Sequence, residues 1–138
     1  MIYPDRESAA RVAELAGIVH ESWMQDWPIE VSDQARLDEF IGLLLANKAE
    51  WELSFWLVDL VLESAEDDLA ITPVQHDQWE RTEPLVGALV AVWDATHAPG
   101  IALRLEYWAC LGASAPEEMF LVSPLVREAR RRIGHSAT

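Results

Sequence analysis

A chain of 138 residues with 51% apolar side chains has enough hydrophobic material for one packed domain, which excludes intrinsic disorder despite a formal net charge of −14. Ten Lys plus Arg against 24 Asp plus Glu exclude a phosphate backbone as the natural ligand, so no nucleic acid is expected and charged partners should be basic proteins or cations. A single cysteine excludes an internal disulfide, and the opening MIYPDRESAARV lacks the basic and apolar regions of a secretion signal, so a cytoplasmic protein is expected.

The first helix starts after Pro4, with Asp5 as its N-cap, and runs to about Met24. Val12, Leu15, Ala16, Val19 and Trp23 make its apolar face, and Trp27-Pro28-Ile29 breaks it. Ser32-Asp33 opens a second helix that carries Leu37, Phe40, Ile41, Leu44 and Leu45 inward. The most apolar stretch of the chain follows, Phe40 to Leu62, and the other helices should pack around it. Asn47, Lys48, Glu50, Glu52 and Asp59 interrupt it, whereas a membrane span needs about twenty uninterrupted apolar residues. It reads as two buried helices joined near Asn47-Lys48, with no membrane partner.

On the third helix, residues 49–66, Leu53, Trp56, Leu57, Leu60, Val61 and Ser64 recur at helical spacing, and Glu52, Asp59, Glu63 and Glu66 share the opposite side. Glu66-Asp67-Asp68 places anions where the helix dipole disfavours them, so these acids are expected in an exposed loop. Thr72-Pro73-Val74-Gln75 has the form of a capping box for a fourth helix reaching Thr96, with Pro84 kinking or dividing it. His97-Ala98-Pro99-Gly100 terminates that helix, and a fifth spans about Ile101 to Leu111. Ser114-Ala115-Pro116-Glu117 opens a sixth, which Ser123-Pro124 breaks, leaving a short last one through Ile133. No stretch alternates as a strand does. The expected fold is all-α, about six helices in a single compact bundle over residues 1–138.

The two halves also align. LAGIVHESW (15–23) matches LVGALVAVW (85–93) in Leu, Gly and Trp, and Ile2-Tyr3-Pro4 and Ile71-Thr72-Pro73 precede them at similar distances. This suggests a pseudo-repeat of two three-helix units, 2–66 and 71–133, against the plainer reading of six unrelated helices with similar needs. Close helix contact at Gly17 and Gly87 would explain a residue that costs about 1 kcal/mol inside a helix.

Motifs for chemistry are few. His76, Glu80 and Glu83 share one face of the expected fourth helix at cation-holding spacing, but they flank the apolar stripe and no second Glu-x-x-His element completes a di-metal site. No nucleophile elbow, phosphate loop or dinucleotide fingerprint is present, and His20, His97 and His135 have no evident catalytic partner. Cys110, inside YWACLG, reads as a buried inert thiol. No metal, cofactor or catalytic residue is expected.

The acidic middle carries more weight. From Ala49 to Glu80 there are nine acids and no base. Left in water they form an ordinary solvated face; presented to a cationic protein they form a docking face that raises association rates. The expected contact set is Asp59, Glu63, Glu66, Asp67 and Asp68, with Trp51 as an aromatic anchor at the edge. Small acidic helical proteins that neutralise basic nuclease toxins offer an analogy of charge and size, which makes an immunity or antitoxin-like inhibitor the leading function. The alternatives are a helical scaffold that self-associates through exposed tryptophans such as Trp27 or Trp79, and a small-molecule or metal-dependent helical enzyme. One lysine among ten basic residues, with abundant alanine, suggests a GC-rich bacterial genome. Arg127, Arg130, Arg131 and Arg132 cluster near the C-terminus, where they complement a helix dipole and could pair with the acidic middle.

Overall fold

The computed structural model describes residues 3–18, 28, 31–71 and 74–136. Among them are six α-helices and no strand: α1 Arg6–Ala16, α2 Leu37–Ala46, α3 Trp51–Ile71, α4 Thr82–Thr96, α5 Pro99–Ala109 and α6 Ser123–Ser136. Short 3-10 turns at Gln34–Arg36, His76–Gln78 and Pro116–Glu118 punctuate the connections. None of the described helices is long and apolar enough to cross a membrane.

The longest helix, α3, packs against α1, α2, α4 and α5. Its sequence explains why. Besides the expected stripe, Phe55, Val58 and Leu62 are buried, so apolar residues cover more than one side and the helix needs neighbours on each. Phe40, Leu44, Leu57, Leu60, Leu85, Leu89, Ile101 and Trp108 complete a core to which all six helices contribute. The bundle is closed on the other side by α4 against α6, its most extensive pairing.

Helix ends follow local chemistry. The Asp5 side chain accepts the Ser8 amide at 3.0 Å, as expected of the α1 N-cap. That helix then stops at Ala16, short of Met24, because Gly17 adopts φ +67° and its amide closes the last turn on Ala13 and Glu14. The expected continuation through Val19 and Trp23, His20, Trp27 and Ile29 of the expected break, and the Thr72-Pro73 cap lie outside the described residues. Asp33 caps the 3-10 turn that leads into α2 by accepting the Ala35 amide at 2.9 Å. Leu37, Phe40, Ile41 and Leu44 are buried, but Leu45 is exposed, one position past the inward stripe.

Three boundaries differ from the sequence reading. Glu66-Asp67-Asp68 belongs to α3, which continues to Ile71, because each of these acids has a hydrogen-bonding partner that outweighs its unfavourable place in the dipole. Pro84 neither kinks nor divides α4: the helix starts at Thr82, so proline occupies the first turn, where its missing amide would have had no intrahelical partner. Ser123-Pro124 marks a helix boundary as expected, and the last helix, α6, runs on from it as one 14-residue element past Ile133. The segment after Ser114 forms only a 3-10 turn at Pro116–Glu118.

The matched glycines serve different ends. Gly17 is a left-handed cap, and Gly87 lies in mid-helix on the exposed side of α4. A Cβ at either would meet no heavy atom within 4 Å, so close helix contact accounts for neither.

Candidate functional site

The carboxylates of α3 do not form a solvated face. Asp59, only 14% exposed, accepts Trp108 Nε1–H at 2.9 Å and faces Arg104 Nη1 at 3.4 Å, both on α5. Burial pushes its carboxyl up, against the opposing pull of Trp108 and Arg104. Glu66 accepts the backbone amides of Leu121 and Val122 at 2.9 and 3.1 Å, holding the chain just ahead of α6. Asp67 accepts the Ser32 hydroxyl at 2.7 Å, and Asp68 accepts Trp79 Nε1–H at 2.9 Å. Glu63 is half-buried, and burial first and then the Glu63 charge push the Tyr107 phenol up. Trp51 is half-buried against the core. The expectation that these acids stay in water is corrected: α3 is central, so its polar side is covered by α5 and the approach to α6.

Trp79 is corrected as well. It is 6% exposed, with its indole N–H on Asp68, and offers no surface for self-association. Trp27 lies outside the described residues. Cys110 is half-buried, at φ 50° as the cap of α5, where full burial was expected.

Unshielded acid concentrates elsewhere. A cleft of about 470 Å³ lies between the His76–Gln78 turn, the start of α4 and the first turns of α6. Four carboxylates line it, Asp77, Glu80, Glu83 and Glu128, against one guanidinium, Arg132. Arg132 binds Glu83 through both terminal nitrogens, at 3.0 and 2.8 Å, and Glu128 through Nε at 3.0 Å. Arg131 adds a second clamp on Glu128 at 2.8 Å, and the two arginines hold the Glu128 carboxyl down to about 2. Glu83 is lowered by Arg132 in the same way. Asp77 and Glu80 are exposed, and Asp77 makes no ion pair with any described residue. On the adjoining side Arg81 is shared by Asp38 at 2.9 Å, Glu80 at 3.4 Å and Asp68 at 3.8 Å, so that corner also keeps an excess of negative charge.

Trp79 and Leu125 line the same cleft. His76 is pinned there, with its Nε2 2.7 Å from the Leu121 carbonyl. Of the residues singled out from sequence, His76, Glu80 and Glu83 do come together here, but by turn geometry and not along one helix face. No group of three or more His, Cys, Asp or Glu side chains among the described residues is placed to hold a metal ion. What the cleft can do is attract and seat a cationic side chain. Sequence reasoning missed Asp38 and Glu128 because their positions depend on which helices meet. No family model, curated protein or solved structure matches the chain.

Proposed function

We propose that this protein is a non-enzymatic binding module for a basic protein, with the Asp77–Glu80–Glu83–Glu128 cleft as its docking surface. The observation that supports this reading is the exposed charge of Asp77, which pairs with no described residue, and of Glu80, which shares Arg81 with Asp38 and Asp68, beside a cleft that already holds a guanidinium between carboxylates. A partner's Arg or Lys would pair with Asp77 and Glu80, beside the carboxylates that Arg132 already holds. Long-range attraction from a chain at net −14 would raise the association rate. A neutraliser of a basic enzyme, in the manner of an immunity protein, is the specific form we favour.

The test is co-purification from the native host followed by association kinetics with the recovered protein. The double reversal Asp77→Lys, Glu80→Lys should slow association about tenfold at low salt and flatten its salt dependence. Reversing Glu7 and Glu14, exposed on α1, should change little. Recovery of no basic protein, or equal effects from the two pairs of reversals, would refute the reading.

Self-association is a second reading, favoured by a specific patch. Tyr3, Tyr107 and Leu111, 61%, 53% and 53% exposed, surround one depression of about 410 Å³. A dimer by light scattering that Leu111→Glu dissociates would support it; a monomer at all concentrations would dismiss it.

A further inference from the structure

A second cleft, of about 590 Å³, opens where α4, α5 and α6 meet, and its chemistry is the reverse of the first. Trp93 from α4, Leu105 from α5 and Ile133 from α6 supply an apolar wall. Arg127, Arg130 and Arg131 supply the charge, in a chain that has only six basic residues against 23 acidic ones before position 127. This volume falls in the range of sites for small organic ligands, which are largely apolar with a few placed polar groups.

The three arginines are not equivalent. Arg127 donates to the carbonyls of Ala109 at 2.7 Å and Cys110 at 2.5 Å, closing the C-terminal end of α5. Arg131 is held by Glu128 on its own helix. Arg130 makes no hydrogen bond or ion pair with any described residue. Its own helix cannot supply one, because positions three and four residues away are Arg127, Val126, Ile133 and Gly134. A half-buried guanidinium therefore faces the cleft with its donors unused by any described residue.

We propose that this cleft binds an organic monocarboxylate with an apolar body, the carboxylate on Arg130 and the body against Trp93, Leu105 and Ile133. One free guanidinium fork matches one carboxylate in bidentate geometry. A singly charged head is preferred over a dianionic phosphate because Glu106 lines the same cleft and is not neutralised by Arg130. The indole face and the aliphatic wall reward an alkyl or aryl body and give nothing to a small inorganic anion. This site is separate from the acidic cleft, and its occupancy does not depend on a protein partner.

Calorimetric titration of the full chain with decanoate and with 4-phenylbutyrate tests the proposal. At least one should bind saturably at one to one, while decanol and decyltrimethylammonium do not, and decyl phosphate should bind less tightly than decanoate. Arg130→Gln should weaken binding about tenfold or more, Arg130→Lys less, since it keeps the charge and loses the fork. Glu106→Gln should tighten binding by removing the opposing charge. Because Arg130 has no partner among the described residues, both of its variants should keep the native thermal midpoint. Failure of both carboxylates to bind into the millimolar range would overturn the assignment. So would decanol binding as well as decanoate, or Arg130→Gln binding like the parent.

Discussion

The indole N–H of Trp108 donates to the Asp59 carboxylate at 2.9 Å, joining the middle of α3 to α5 inside the bundle. Arg104 covers the other side of that carboxylate and lies over the Phe55 and Tyr107 rings at 5.1 and 5.2 Å. Removing the acid strands both donors. Asp59→Ala should destabilise the protein by about 3–5 kcal/mol, as expected when one member of a buried charged pair is deleted. Asp59→Asn keeps an acceptor for the indole and should cost less, about 1–3 kcal/mol. Urea titrations of both variants measure this, and a cost below 1 kcal/mol for the alanine change would show that the pair is not holding α3 to α5.

The acid range separates Asp59 from the surface carboxylates. Burial raises the folded Asp59 carboxyl above 3.8, so the native state binds that proton more tightly than the unfolded chain. Its contribution to stability is full below 3.8 and is lost as pH rises through the higher folded value. The deficit of Asp59→Asn should therefore be largest at low pH and shrink as pH rises. Glu128 behaves in the opposite sense: lowered from 4.5 to about 2 by Arg131 and Arg132, it contributes above 4.5 and loses that contribution as pH falls toward 2. Glu128→Gln should flatten the acid limb of the stability curve within that window. Denaturant midpoints measured across the pH range would show opposite slopes for the two variants.

Glu66 ties the centre of the bundle to the start of α6 through the Leu121 and Val122 amides. Glu66→Ala should cost about 1–2 kcal/mol, toward the low side because Leu121 is exposed and water can replace its bond. Amide exchange gives the sharper readout. Protection at Leu121 and Val122 should fall in the variant while the α3 core amides keep theirs, and unchanged protection would count against the tether.

The two glycines that align in sequence should respond with opposite signs. Gly17→Ala places a Cβ at φ +67° and should destabilise by about 1 kcal/mol. Gly87→Ala fills open space on an exposed helical position and should stabilise by about 0.5–1 kcal/mol. Thermal midpoints moving in the same direction would contradict the difference between cap and mid-helix position.

Several of these features are visible in the chain itself. The 3.6-residue spacing of Phe40, Ile41 and Leu44, and of Leu53, Leu57, Leu60 and Val61, gives buried helices at those positions. Asp5, Gly17 and the His97–Gly100 stretch act within a few residues of themselves, so caps and stops can be read locally, although the stop at Gly17 was passed over in favour of the apolar spacing beyond it. Pro84 does not divide its helix for a related reason. Proline is compatible with the first turn of a helix and hostile to its interior, and sequence does not say which of the two a given proline occupies.

Composition and periodicity by themselves determined an acidic all-α bundle organised on the Phe40–Leu62 stretch, because burying apolar stripes is a local and additive demand. Which acids stay in water was decided only by tertiary structure. Asp59 and Glu66 look like Asp77 and Glu80 in sequence, but α5 and the approach to α6 close over the first two and leave the second two outside. The same holds for the arginines: four near neighbours on one helix end as a clamp on carbonyls, two partners of carboxylates and one guanidinium without a partner among the described residues, because pairing depends on which groups stand across from each residue in the packed bundle.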